Sequence, residues 1–448
     1  MLAAAVIPVQ AQPLLAGAAQ VVITPPLGAP MAGYYSPRSS TGVHDDLRAK
    51  ALVLRQGKVS LALVVCDVIH MPAPVVAQAR QLIRSATGIP EGNILISATH
   101  AHTGPVIPGA TARLDFGGKE AELARAYTAS LPKKIAEAVQ QAEAGLKPAR
   151  LSSAAGSEPT LTFNRRFRMT DGTVGWNPGK LNPRIVEPAG PIDPEVGVVS
   201  IESSDGTPLS TLVNYALHLD TVGGLEISAD YPYTLARTVA ARRPGLTIFM
   251  QGCAGNLNHI DVKSSRPQKG HAEAERIGSA LGAEVIRTIS GLDSAPPRLA
   301  SDSTVVQLGP ATHDPSEVDW ARTTSATYGQ SKPAPFLQLV KAFRILDVEA
   351  LAGKPLEAEI QVMRLNAETA LVSLPGEIFT ELGLAIKKAS PFKRTFVVEL
   401  ANGSLGYVPD RKGFGEGNYE AVSARCEPGS GEKLVDAALA LLKRMSRY

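Results

Sequence analysis

Two histidines separated by one residue, His100 and His102, close the apolar run NILISAT and open onto the Gly/Pro-rich segment TGPVIPG. Neutral imidazole suits zinc. A buried strand running into a loop presents both rings at one mouth, where α/β folds bind ligands. Alone, an H-x-H pair is a weak signal that ordinary hydrogen-bonded histidines account for more readily. His218 repeats the arrangement: it ends TLVNYALH and faces LDTVGGLEISAD, a loop of glycines and carboxylates. Glu377 lies in LPGEIF, where Pro-Gly-Glu makes a tight turn that fixes a carboxylate. The competing reading of Glu377 is an acidic residue favoured at a helix N-terminus by the dipole. Tyr407 and Tyr419 flank VPDRKGFGEGN, and single tyrosines commonly serve cores or interfaces. Composition and spacing thus describe a histidine–carboxylate metal site and carry the case no further.

The elements that must hold these residues are mixed. AKALVLRQGKVSLALVVCDV predicts a hairpin turning at residues 56–58. Residues 74–87 predict a helix with Val75, Val76, Ala79, Leu82 and Ile83 on one face. The stretch from Lys119 reads as a long helix kinked at Pro132. EVGVVSIES pairs with STLVNYALH around a Ser-Asp-Gly turn, LTIFMQG is a buried strand, and HAEAERIGSALGAEVIRTI is a helix. EIQVMRLNAETALVSLPGE predicts a second hairpin, followed by a helix, the strand TFVVELANG, a Gly-rich loop and a C-terminal helix. Residues 153–194 and 295–335 carry few regular signals, and loops that long are usually functional or disordered. Hairpins together with helical crossovers give an α/β fold: a mixed β-sheet core with covering helices.

The chain of 448 residues has a net charge of +3 and 5% aromatic residues, so it offers neither the field nor the stacking surface of a nucleic-acid binder. No stretch reaches the roughly 20 apolar residues of a membrane span, which leaves peripheral contact with a membrane surface open. Residues 1–17 read as the tail of a secretory signal or a frayed arm, with 18–448 as a single catalytic domain; the first reading makes the protein secreted or periplasmic. Three cysteines, Cys66, Cys253 and Cys426, match no Cys-rich zinc site.

THAHTGP resembles the T-H-T-H-S-G-P segment of the neutral ceramidases, zinc amidases that split ceramide into sphingosine and a fatty acid. Further landmarks follow in the family's order. Asn164-Arg165 and Asn177-Pro178 resemble its N-R-S and N-P segments. ALHLDTVGGLEISAD is similar to the segment of its second histidine, LPGE to its V-P-G-E, and Tyr407 with Tyr419-Glu420 to its last catalytic segment. The resemblance runs from about Ala18 to the end. It implies that His100, His218, Glu377 and Tyr407 bind Zn2+, with a position left for water, and that His102, Arg165 and Tyr419 line the substrate side. The implied activity is hydrolysis of the N-acyl (amide) bond of a small or lipid-like substrate.

Two departures bear on the substrate. Where the ceramidases have G-D-x-S-P-N, this chain has QGCAGNLNH, with Asn258 in place of the serine near the metal. Cys253 and His259 beside it raise a second-metal reading. The chain also stops within a helix of Tyr419, so the C-terminal immunoglobulin-like domain of the ceramidases is expected to be missing. An ester or lactone substrate fits equally well. The competing classes are an amidohydrolase-type β/α barrel, in which H-x-H ends the first strand, and a secreted binding protein that kept the fold without the chemistry.

Overall fold

Period-two alternation in the first hairpin dictates the layering. Arg48–Gln56 pairs antiparallel with Val59–Cys66. Ala49, Ala51, Val53, Ala62, Val64 and Cys66 face one apolar layer, while Leu52, Leu54, Leu61, Leu63 and Val65 face another. A strand apolar on both faces needs cover on both sides. In the computed structural model, which describes residues 12–109 and 118–447, one cover is helical and the other is a second sheet.

The large sheet has nine strands among the described residues. Its main path runs Leu246–Gln251, Pro208–Tyr215, Glu195–Ser203, Lys147–Ser157, Leu14–Val22, Arg48–Gln56, Val59–Cys66 and Ile94–Ala98. Its pairs are antiparallel in the middle and parallel at both ends, where Pro208–Tyr215 meets Leu246–Gln251 and Val59–Cys66 meets Ile94–Ala98. The small sheet orders Pro297–Leu308, Leu356–Asn366, Thr369–Ser373 and Arg394–Val398. The two inner faces pack together through Leu54, Leu63, Leu212 and Ile248 against Met363, Leu365, Leu371 and Phe396.

Helices Ala73–Thr87 and Gly118–Ala144 cover one half of the large sheet's outer face, and Tyr231–Ala240 with His271–Ile289 the other. Thr380–Ala389 and Ser430–Ser446 cover the outer face of the small sheet. The result is a four-layer helix–sheet–sheet–helix sandwich. The predicted mixed α/β core is present, and the open sheets with their hairpins overturn the β/α-barrel alternative.

Three local expectations need correction. Leu14–Gly17, assigned to a signal remnant or arm over residues 1–17, already pair with Val53–Gln56 as part of the first strand; residues 1–11 lie outside the described residues. Residues 153–194 hold the end of an eleven-residue strand, Lys147–Ser157, and a small sheet of Arg166–Met169 between Val174–Trp176 and Ile185–Pro188. Residues 295–335 contain the twelve-residue strand Pro297–Leu308 and the helix Glu317–Ser325. Two helices, Glu317–Ser325 and Phe336–Glu349, form an excursion between strand ends that pair, Leu308 opposite Leu356. No helix among the described residues is long and apolar enough to cross a membrane.

Candidate metal centre

Every candidate residue on the metal side leaves the end of a strand. His100 follows Ile94–Ala98, and His218 follows Pro208–Tyr215 at the far parallel edge of the large sheet. Glu377 follows Thr369–Ser373 and is held beside Tyr407 by a short parallel pairing, Glu377 opposite Tyr407. The two sheets therefore deliver their loops to one point. His100 sits at φ 76, an unusual value for a residue with a side chain, which turns its ring back toward that point.

Three imidazoles converge there. Nε2 of His100 and of His102 each lie 3.1 Å from His218 Nε2, and 3.2 Å from each other. All three rings are buried. His100 Nδ1 lies 2.7 Å from the Ile69 carbonyl, so it is Nδ1 that carries the proton and Nε2 that presents a lone pair. Burial, and then the neighbouring His100, hold His102 and His218 well below the usual imidazole range. Glu377 Oε2, buried and without a hydrogen-bond partner, lies 3.3 Å from His100 Nε2. Burial alone would raise the Glu377 carboxyl, but His100, the Tyr407 hydroxyl and Arg165 outweigh it and hold the group at about 2.

Electron-rich atoms with too few protons to share thus face one another across about 3 Å. Four donors around tetrahedral zinc at ~2.0–2.1 Å stand about 3.3 Å apart, close to the observed spacing. The residues fit a divalent cation. Among the described residues, His100, His102 and His218 form the grouping of His, Cys, Asp or Glu able to hold a metal. His102, expected on the substrate side, is brought to the same point as His100 and His218.

Tyr407 is buried, and burial first, with Glu377 adding to it, raises its phenol well above the usual range against the opposing pull of Arg165. Arg165 lies against it. Its Nε donates to Glu420 at 2.8 Å and its Nη2 to the Gly255 carbonyl at 2.7 Å. The other oxygen of Glu420 accepts from Arg166 Nη1 at 2.8 Å. Tyr419 packs edge-on to Tyr407, ring centroids 5.3 Å apart. Asn258 lines a cavity together with His102 and His218, where its amide donates to Asn177 Oδ1 at 2.8 Å and its Oδ1 accepts from Ile260 N–H. Neither neighbour of the QGCAGNLNH segment joins a second metal site. Cys253 lies in the core beneath the small sheet, and His259 Nε2 bonds the Gln268 carbonyl. The three cysteines are unpaired and buried.

The glycines of QGCAGN permit close approach. A Cβ on Gly255 would stand 2.5 Å from the Glu377 carbonyl oxygen, so this position fixes how near the two loops come. Gly33, at φ +97, has the His102 ring 2.7 Å from where its Cβ would be.

The centre lies between two cavities. The larger, about 280 Å3, is lined by Arg165, Trp176, Asn177, Asp220, Asn258 and Lys269 among others. The smaller, about 90 Å3, is lined by His70, Val340, Phe343, Arg344, Glu377 and Tyr407 among others. Tyr419 and His102 face both. Sequence reasoning named Glu420 only within the Tyr419-Glu420 motif, without a role, and did not single out Trp176, Asp220, Lys269 or the lining residues of the Phe336–Glu349 helix. Trp176 and Asp220 adjoin motifs it did use, Asn177-Pro178 and His218. The helix carries no such signal.

No family model matches the chain. It is 27% identical over 241 residues, 48% of its own length, to the neutral ceramidase of Mycobacterium tuberculosis (strain ATCC 25618 / H37Rv). It spans little more than a third, 37%, of that relative. The structure superimposes on the crystal structure of neutral ceramidase from Pseudomonas aeruginosa with a TM-score of 0.75 at 20% identity, covering 97% of this chain and 75% of that one. A ceramidase complexed with C2 gives 0.72 at 20% identity, over 97% and 76%. The α/β sandwich is that of the neutral ceramidase structures.

Proposed function

With sequence and fold both relating this chain to the neutral ceramidases, we propose that it is a zinc-dependent hydrolase of an N-acyl amide bond. The carrying observation is the convergence of three imidazole Nε2 atoms and the Glu377 carboxylate on one point. His100, His218, Glu377 and Tyr407 are the proposed metal ligands, and His102 adds a further nitrogen at the same point. Zinc, when bound, supplies a Lewis acid and brings the pKa of water from 15.7 toward ~7.

The chain's own residues do the rest. Arg165, locked by Glu420 and the Gly255 carbonyl, directs fixed positive charge at the place where a carbonyl oxygen gains charge during attack. Tyr419 and His102, which face both cavities, are placed to pass a proton to the departing amine. Asn258 replaces a hydroxyl with an amide on the wall of the larger cavity and there serves binding. Water adds across the C–N bond: the acyl carbon gains oxygen, and the nitrogen leaves with the proton. An exported enzyme is part of the same proposal, on the apolar N-terminal residues alone.

Zinc content and turnover test the reading together. Protein purified without added metal should hold about one zinc per chain and hydrolyse N-acyl amides, with both properties lost in His100→Ala. Zinc without turnover on amides, esters or lactones would instead favour a binding protein on this fold. Absence of zinc would overturn the proposal.

A further inference from the structure

The geometry points to a compact, polyhydroxylated substrate, an N-acylated sugar or a group of that size, rather than an amide carrying two long alkyl chains. This rests on the hydrolase reading of the same site. In the larger cavity one wall is aromatic. Trp176 and Phe336 stack with ring centroids 5.3 Å apart, and Tyr419 lies 4.6 Å from Trp176. The same cavity is also lined by polar side chains. Asn258 and Asn177 are joined amide to amide, and Lys269 Nζ lies 3.2 Å from the Tyr34 hydroxyl and 3.8 Å from Asp220. The indole N–H of Trp176, a buried donor, has no partner. Aromatic rings together with amide, ammonium and carboxylate groups in one cavity meet the two kinds of surface a sugar ring offers, apolar C–H faces and a hydroxyl-bearing edge. An alkyl chain in the same place would strip water from these polar groups and return no hydrogen bond.

Size agrees with chemistry. The larger cavity, about 280 Å3, is roomy enough for a ring-sized group beside the centre. The two-helix excursion contributes to both cavities: Phe336 at its tip lines the larger one, and Val340, Phe343 and Arg344 line the smaller one.

The chain has two tryptophans, Trp176 and Trp320, and Trp320 lies outside both cavities, so Trp320→Phe leaves a single reporter in the site. Fluorescence of this variant is titrated with N-acetylglucosamine and, in parallel, with a short-chain ceramide in mixed micelles, with and without zinc. Saturable quenching by the saccharide, weakened at least tenfold by Lys269→Met and by Asn258→Leu, with weaker ceramide binding, is the expected result. Lys269 is exposed enough that its variant folds normally, which thermal unfolding checks. Tighter ceramide binding, saccharide binding untouched by both substitutions, or no saccharide binding at all would overturn the inference. Because binding is read on the metal-free protein as well, failure of the hydrolase reading appears separately, as no zinc or no amide turnover.

Discussion

His102 is the residue whose role the geometry shifts. Its Nε2 lies about as near His100 and His218 as they lie to each other, so under the proposed metal reading its removal subtracts a donor from the proposed site. We expect His102→Ala to lower zinc affinity by more than the about 10–100-fold typical of a residue that only supports a ligand. Competition with a chromophoric chelator measures this directly. Unchanged affinity with a fall in kcat would return His102 to the substrate side alone. Glu420 supports the opposite wall. It is fully buried and bonds both Arg165 and Arg166, so Glu420→Ala leaves two guanidiniums without their shared counter-charge. A loss of about 3–5 kcal/mol in denaturant unfolding is expected, together with a fall in kcat. Loss of stability without loss of turnover by the folded fraction would show that Arg165 does not act on substrate.

Elements decide how closely those residues meet. The Gly255 loop and the Glu377 turn touch backbone to backbone, and Gly255→Ala places a Cβ 2.5 Å from the Glu377 carbonyl oxygen. The overpacking should cost about 1–3 kcal/mol and also reduce zinc occupancy, because the strain falls on the segment that carries Glu377. Stability lost with full zinc content would locate the relaxation elsewhere. The helix His271–Ile289 carries a separate, acid-sensitive tie in its first turn. Burial would raise the Glu273 carboxyl, but Arg276 and Arg266 override it and bring it from 4.5 to about 2. A carboxyl with a depressed folded pKa contributes fully above its unfolded value, and the contribution is lost as pH falls from about 4.5 toward 2. Glu273→Gln should therefore flatten the acid limb of the stability curve in that window and leave its slope near neutral pH unchanged. An unaltered acid limb would mean the arginines find other partners.

These same elements mark what a sequence discloses. Strands with both faces apolar, such as Arg48–Gln56, announce themselves through local pattern, as do helices with one apolar stripe. Pro297–Leu308 does not, because its pattern RLASDSTVVQL leaves most side chains half-exposed, and so it resembled a loop. His100, His218 and Glu377 stood out as candidates because ligand types follow strands in an order that resembles a known family's motifs. The meeting of His102 with them depends on the φ of 76 at His100, and the alignment of Glu377 with Tyr407 depends on a pairing between distant segments. Neither is a local property. The cavity wall from Phe336–Glu349 was hidden for the same reason: its residues become site residues only when the paired ends Leu308 and Leu356 aim the excursion over the centre.

At the scale of the whole molecule, the centre joins the two sheets. The histidines come from the large sheet, Glu377 and Tyr407 from the small one, and the sheets otherwise hold together through the apolar interface of Leu54, Leu63, Met363, Leu371 and their neighbours. A cation bound at the centre therefore ties both sheets and stabilises the native state by mass action. With free zinc ~1,000-fold above its Kd the gain is about 4 kcal/mol. Chelation should lower the unfolding free energy by that margin in the wild type and by much less in Glu377→Ala, which lacks the proposed carboxylate ligand. Leu63→Ala offers the complementary cut, since a cavity in the sheet–sheet interface should cost about 2–5 kcal/mol. If the metal ties the sheets, the zinc-bound Leu63→Ala protein unfolds in a single transition, seen alike by circular dichroism and tryptophan fluorescence. Stripped of metal, the same variant should separate into two transitions as the small sheet loosens first. A single transition in both states would show that the apolar interface alone unites the sandwich, leaving the metal a purely chemical role.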